Sequence, residues 1–160
     1  MSAIPLKDWL ASLIEASADS ATNVLGFEQK VLPGVGDGMS ACQPSVTSGA
    51  FISMLSEGGA IELGFAATKD VLQALAKIVL GMAPEEDIVA ADTADAIGEV
   101  VNIIAGGVKR RLNEAAGGIN LGLPLFIEGT LVGRESQEMA HANVLLGEMP
   151  VCLIVVRGKA

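Results

Sequence analysis

The N-terminal part of the chain carries apolar residues at the spacing of an amphipathic helix. We predict a helix over residues 4–25, which stops at Gly26 because glycine is a frequent residue just past a helix. One face of this helix is expected to enter the core. Its apolar positions are Trp9, Leu10, Leu13, Ile14, Ala21 and Val24.

Two further helices are predicted in the middle of the chain. Residues 68–81 have helical periodicity, with Thr68 as a suitable N-cap and Gly81 as a suitable residue just past the C-terminus. A break that contains Pro84 and three acids then leads into the longest predicted helix, at about residues 88–114.

The other apolar segments favour β-strands because turn residues bound them. A β-hairpin is predicted around Gly58-Gly59, and residues 39–56 hold almost no charge. The predicted strands are 27–31, 46–57, 60–65, 119–129, 130–135, 138–147 and 150–157. The order of helix, strands, two helices and strands, with no visible linker, predicts one α+β domain over residues 1–160.

Composition narrows the class of function. Hydrophobic residues make up 51% of the 160 residues, enough for a folded domain with a core. The net charge of −9 argues against nucleic acid and against an anionic membrane as partners, since both need a basic surface. Charged residues interrupt the N-terminus too early for a signal peptide, and no segment reaches the length of a membrane span.

The few cysteines and the single histidine exclude several kinds of site. Cys42 and Cys152 have no metal-binding spacing, so we expect them to be reduced, in or near the core of a cytoplasmic protein. His141 alone cannot build a histidine cluster, so a conventional zinc site and a Ser-His-Asp triad are poorly supported.

The longest predicted helix has two chemically different sides. At about 100° per residue, one side collects apolar residues and forms the core face. The opposite side collects a narrow stripe, which spans roughly a quarter of a turn. The core face consists of Ile97, Val101, Ile104 and Val108, and the stripe consists of Asp95, Glu99, Asn102, Gly106 and Lys109.

Two features of the stripe are unusual. Small residues surround it, namely Ala91, Gly98, Ala105, Gly106 and Gly107. Each glycine costs a helix about 1 kcal/mol relative to alanine, so either another surface approaches closely or helices pack tightly inside the domain; the sequence leaves both open. Asn102 is a poor helix-interior residue, yet its amide can hold a water molecule without titrating. Glu99, one turn earlier, could bind a lysine of a partner.

Two other interpretations of the stripe remain open. A polar stripe opposite an apolar face is ordinarily the solvated side of a helix. The acids at the start of this helix (85–87) and the bases near its end (109–111) are what the helix dipole favours. Asp92, Asp95 and Glu99 could also form a carboxylate metal site, although no second set of ligands is visible.

The motif Asp95-x3-Glu99-x2-Asn102, followed after 21 residues by Pro124, resembles the signature of the CheC/CheX/FliY phosphatases of bacterial chemotaxis. The flanking segments DAIGEVVNIIAGGVKRRL and INLGLPLF are similar to the long helix and the proline-bearing strand of that family. SATNVLGFE resembles the end of the first helix in CheX proteins. The first helix lacks a second Glu-x-x-Asn motif, which favours the CheX branch, whose members dimerise through their sheets.

The resemblance implies a CheC-like fold, with long helices packed on a mainly antiparallel sheet. It also implies a hydrolase of two-component signalling that dephosphorylates a CheY-like response regulator. Asn102 would orient the attacking water and Glu99 would pair with the regulator's lysine. Asp95, with Gly98, Gly106 and Lys109, would support docking, and Pro124 would be structural. The protein would need no cofactor of its own, because the regulator carries Mg²⁺.

One departure from the family concerns position 107. Family members often have Gly-Asn where this chain has Gly106-Gly107, so a polar side chain is expected to be missing beside the site. This departure favours an alternative in which the fold binds a response regulator as a non-catalytic adaptor.

Overall fold

The computed structural model describes residues 3–33, 36–37, 48–129 and 136–158. Within them lie three α-helices: α1 (Leu6–Ser20), α2 (Lys69–Val79) and α3 (Ala90–Leu112). The strands are β1 (Gln29–Val31), β2 (Gly36–Asp37), β3 (Ser48–Ser56), β4 (Gly59–Ala67), β5 (Asn120–Leu121), β6 (Leu125–Glu128), β7 (Gln137–Leu146) and β8 (Met149–Gly158). The predicted α+β class is confirmed.

The described strands form one sheet in the order β1-β7-β8-β4-β3-β5, with β2 also on β7 and β6 also on β3. Every pairing is antiparallel. Strand residues alternate between the two faces of the sheet. Ile52 and Met54 therefore join Leu153 in the core beneath the helices, while Phe51 and Ile154 pack together on the outer face. The helices thus cover one face of the sheet.

The first helix changes form near its end. α1 stops at Ser20 and a π-helical turn, Ala21–Leu25, continues to Gly26, whose φ is 76°. A π-helical turn contains more residues than an α-helical turn, so the apolar positions shift around the axis. Val24, which we predicted on the apolar face, is therefore 36% exposed, whereas Leu25 is 5% exposed. The prediction for Val24 was wrong for this reason.

The second helix ends as its sequence indicated. The side-chain oxygen of Thr68 accepts a hydrogen bond from the Val71 amide at 3.3 Å, which satisfies one of the unpaired donors of the first turn. Gly81 has a φ of 67° just past the helix, a conformation that glycine adopts without strain. Both predicted caps are confirmed.

The predicted hairpin is present, but its turn lies one residue earlier than we predicted. Ser56 pairs with Gly59, so the turn consists of Glu57 and Gly58. Gly59 instead opens β4, with a φ of 110°.

The predicted strand 119–129 is interrupted, and this prediction was wrong. The Gly122 amide still donates to the Ser53 carbonyl at 2.8 Å, but Pro124 has no N–H with which to continue the ladder. The segment therefore splits into β5 and β6.

The interruption also contains one extra residue. Leu121 lies opposite Met54, and Leu125 lies opposite Phe51. Four steps along the β5–β6 segment thus match three steps along β3, which is the count of a β-bulge. The bulge turns the backbone between β5 and β6, so the side chain of Pro124 reaches α3.

The predicted strand 130–135, Cys42, and the part of the uncharged segment before residue 48 lie outside the described residues. Cys152 is 1% exposed, so its predicted core location is confirmed. Among the described residues, the structure contains no helix with both the length and the apolar character needed to cross a bilayer.

Candidate functional site

The exposed side of α3 carries the predicted stripe. Asp95, Glu99 and Asn102 are exposed, while Gly106 and Lys109 are half-buried. The opposite side is the predicted core face, on which Ile97, Val101, Ile104 and Val108 are each at most 3% exposed. Periodicity therefore placed both faces of α3 correctly.

Glu99 and Asn102 form a polar pair with unused hydrogen-bonding capacity. They are one turn apart, with backbones about 4.5 Å apart along the helix axis. Among residues 3–33, 36–37, 48–129 and 136–158, neither side chain makes a hydrogen bond or an ion pair. A carboxylate and an amide are thus available to groups from outside the chain.

Pro124 contacts α3 directly beside this pair. A Cβ atom on Gly98 would lie 3.6 Å from Pro124 Cγ and 3.7 Å from Pro124 Cβ, which is ordinary van der Waals distance. The pyrrolidine ring therefore packs over a helix position without a side chain, one residue before Glu99. The two ends of the predicted motif meet in space although 21 residues separate Asn102 from Pro124.

The glycines of α3 have different surroundings. Gly107 is buried, and a Cβ there would lie 3.0 Å from Ala16 Cβ of α1. A Cβ on Gly106 would meet only Arg110 Nη1, at 3.7 Å. Tight packing inside the domain therefore accounts for Gly107, whereas the contact with Arg110 at Gly106 is not tight enough to require a glycine.

This contact corrects our expectation for position 107. We expected a polar side chain to be missing beside the site, but position 107 faces α1 and lies about 140° around the helix from Asn102. The Gly106-Gly107 departure therefore leaves the exposed stripe around Glu99 and Asn102 unchanged.

Lys109 borders a groove beside the sheet. It lines this groove with Leu55, Glu57 and Asn120. The structure therefore places Lys109 at the edge of the stripe on the side of β5.

The sequence analysis missed two side chains near the stripe. Leu123 is 86% exposed and lies next to Pro124 in the bulge. The sequence could have indicated this exposure only if the predicted strand 119–129 had been recognised as interrupted. The guanidinium of Arg110 lies against Gly106 and Gly107, and we had attributed this charge to the helix dipole alone. The spacing of four residues between Gly106 and Arg110, about one helical turn, was the sequence signal that could have indicated this contact.

The carboxylates of α3 are not gathered into a metal-binding group. Among the described residues, the structure contains no cluster of three or more His, Cys, Asp or Glu side chains that could hold an ion. Asp92, Asp95 and Glu99 all lie in that part of the chain, so the geometry gives no support to a carboxylate metal site.

Fold and site together define an α+β protein in which three helices cover one face of an antiparallel sheet, and the longest helix presents a carboxylate and an amide to solvent. Residues 48–146 match the family model described as "Chemotaxis phosphatase CheX". The chain therefore belongs to the CheX family. No curated protein sequence matched it.

Solved structures share this fold at low sequence identity. A CheC-like superfamily protein from Shewanella sp. PV-4 has a TM-score of 0.76 at 15% identity, over 93% of this chain and 96% of its own. CheX from Vibrio vulnificus has a TM-score of 0.74 at 13% identity, over 92% and 97%. The CheX–CheY–BeF3–Mg complex from Borrelia burgdorferi has a TM-score of 0.65 at 14% identity, over 95% and 98%.

Proposed function

We propose that this protein is a phosphatase that hydrolyses the aspartyl phosphate of a CheY-like response regulator. The observation that carries the proposal is the Glu99–Asn102 pair, exposed and without partners among the described residues, on α3 of a CheX-family chain. The related CheX of Borrelia burgdorferi was solved with CheY, BeF3 and Mg. This complex supports a CheY-like partner for this chain as well.

In the proposed reaction, water attacks the phosphorus of the aspartyl phosphate. A bond forms between the water oxygen and phosphorus, and the bond from phosphorus to the aspartyl oxygen breaks. The products are the free aspartate carboxylate, inorganic phosphate and one proton. Asn102 would accept a hydrogen bond from the water through its amide oxygen and so direct the water at phosphorus. Positioning is the main requirement, because phosphoryl transfer needs little covalent help from the protein.

Glu99 would fix the position of the regulator. Its carboxylate would pair with the regulator's active-site lysine, one helical turn from the amide that holds the water. Asp95, one turn further towards the N-terminus, would support docking. Pro124 would hold the β5–β6 bulge against Gly98 and so keep this side of α3 open. Mg²⁺ would come with the regulator, which needs it to bind the phosphoryl group.

A phosphate-release assay against purified, phosphorylated response regulators from the same genome tests the proposal. We expect the wild-type protein to accelerate phosphate release from at least one regulator and Asn102→Ala to lose that activity, because the water is no longer oriented. Gln73→Ala is the matched control, since it removes an amide from α2. Full activity in Asn102→Ala would contradict the proposed role of this residue.

The alternative is a regulator-binding adaptor without catalysis. Its motivation was the Gly106-Gly107 departure from Gly-Asn, but the residue that departs, Gly107, faces α1 and lies off the exposed stripe. We therefore favour the enzyme. The same assay separates the two, because an adaptor would bind the phosphorylated regulator and leave its phosphate lifetime unchanged.

A further inference from the structure

We propose that Arg110 is a docking residue that binds an anionic oxygen of the response regulator beside Asn102. This inference rests on the proposed function and names a contact of the same site. It begins from the position of the guanidinium. Arg110 Nη1 lies 3.7 Å from the point where a Cβ on Gly106 would be, and Nη2 lies 3.6 Å from the corresponding point on Gly107. The side chain thus runs back towards the N-terminus of α3, as long helical side chains tend to do.

Arg110 differs from its neighbour Arg111 in what it binds. Arg111 joins α3 to α1: its Nε is 3.3 Å from Glu15, its Nη2 is 2.5 Å from Asp19, and its Nη1 donates to the Gly107 carbonyl at 3.0 Å. Arg110 is exposed and makes no ion pair or hydrogen bond with any described residue. Arg111 therefore has a structural role, whereas the charge of Arg110 is available to a partner.

The guanidinium is close enough to act beside Asn102. Gly106 follows Asn102 by one turn, which places the two backbones about 6 Å apart along the axis of α3. The guanidinium lies over Gly106 and Gly107, on the side of the stripe that faces α1, where Arg110 lines a groove with Ile103 and Asp19. A partner whose surface extends one helical turn beyond the Asn102 amide would therefore meet Arg110. Arginine suits this position because its planar fork binds two oxygens of a phosphate or a carboxylate at once.

Gly106 fits this arrangement. A glycine inside a helix costs about 1 kcal/mol relative to alanine, and packing against α1 does not account for Gly106, which is half-buried. A methyl group there would lie 3.7 Å from Arg110 Nη1, an ordinary contact distance, but a longer side chain would occupy the space between the guanidinium and the helix. Gly106 therefore leaves room both for Arg110 to lie back and for a partner to approach.

The order of charges along α3 matches the proposed partner. Glu99 is negative, Asn102 is neutral, and Arg110 is positive. A phosphorylated regulator would present a lysine to Glu99. It would present a phosphoryl group, surrounded by acidic side chains, to the part of α3 between Asn102 and Arg110. In a chain of net charge −9, a cation at this point would also offset repulsion between two acidic surfaces.

Steady-state phosphate release from the phosphorylated regulator tests Arg110. We expect Arg110→Gln to raise KM about tenfold, the effect of losing one charged hydrogen bond, while kcat changes less than twofold. Arg110→Lys should recover part of the loss. Lys30→Gln is the control, because it removes one exposed positive charge on β1, at the edge of the sheet opposite β5 and β6. The urea midpoint of each variant should equal that of the wild type.

Binding measurements identify the anion and separate this inference from the proposed function. Fluorescence anisotropy would compare regulator carrying BeF3 and Mg²⁺ with the inactive regulator. A loss in Arg110→Gln confined to the activated form assigns the contact to phosphoryl oxygens, and an equal loss in both forms assigns it to carboxylates. Unchanged affinity, or an equal loss in Lys30→Gln, would overturn the inference. If the wild-type protein binds but does not hydrolyse, the proposed function fails and the affinity of Arg110→Gln still decides the role of Arg110.

Discussion

Asn102 has an unfavourable place in its own helix. Asparagine in a helix interior is up to about 0.7 kcal/mol less favourable than alanine, and this side chain has no partner among the described residues that would offset the cost. We therefore expect Asn102→Ala to raise the free energy of unfolding by about 0.5 kcal/mol, measured by urea denaturation, while it removes phosphate release.

A destabilised Asn102→Ala variant would lead to a different conclusion about this residue. A fall in the free energy of unfolding would show that the Asn102 amide makes a stabilising contact in solution. The loss of activity would then have a structural explanation as well, and the direct role of Asn102 would be in doubt.

His141 is a second residue whose surroundings predict a measurable effect. It is 1% exposed on β7, and neither of its ring nitrogens has a hydrogen-bond partner among the described residues. A buried polar group without a partner costs about 1–3 kcal/mol. We expect His141→Leu to raise the free energy of unfolding by about 1 kcal/mol, since leucine has a similar volume and needs no partner. A less stable variant would indicate that the ring binds a buried water molecule.

At the scale of elements, the two adjacent glycines of α3 should respond oppositely to alanine. Gly106→Ala adds a methyl group at ordinary contact distance from Arg110 Nη1, 3.7 Å, and should stabilise the protein by about 1 kcal/mol. Gly107→Ala brings a methyl group to 3.0 Å from Ala16 and 3.1 Å from Arg111, so α1 must shift. We expect a loss of about 1 kcal/mol there. Urea denaturation of both variants measures this difference, and each variant is the control for the other. Effects of the same sign would contradict the assigned packing.

The sequence predicted the faces of α3 but not the role of each glycine. Ile97 and Val101 were placed correctly because the 3.6-residue period determines which side chains share a face. Whether Gly106 or Gly107 faces α1 depends on where a distant helix packs. The sequence alone has no information on that position, so both explanations of the glycines had to stay open.

The β5–β6 bulge shows a different limit. Gly122 and Pro124 were visible inside the predicted strand, and a proline inside such a run argues against an unbroken strand. The extra residue, however, is defined only by the register with β3. The contact between Pro124 and Gly98 follows from that register, so local patterns could not predict it.

At the scale of the whole molecule, the class of fold was predictable and the sheet order was not. The order of elements indicated a single α+β domain, and the family resemblance implied helices on an antiparallel sheet. The neighbours of β4 are β3, which is joined to it by a hairpin, and β8, which lies at the other end of the chain. Hairpin pairing has a local signal, whereas pairing such as that of Ile61 with Arg157 has none.

The edge strand β6 provides a way to test the dimer that the family resemblance implies. β6 lies at the edge beyond β3, and Leu125 and Ile127 are 66% and 42% exposed there. Exposed apolar edge strands favour association. We propose that two copies meet at β6, and we expect Ile127→Lys to convert a dimer into monomers in light scattering with size-exclusion chromatography.

Val31→Lys provides the matched control for this prediction. Val31 is 44% exposed on β1, at the opposite edge of the sheet, so a lysine there should leave the dimer intact. Phosphate release by monomeric Ile127→Lys should persist, because Glu99 and Asn102 lie on the exposed side of α3 and not on the edge strand β6. A monomeric wild-type protein, or dissociation by Val31→Lys, would exclude β6 as the dimer contact.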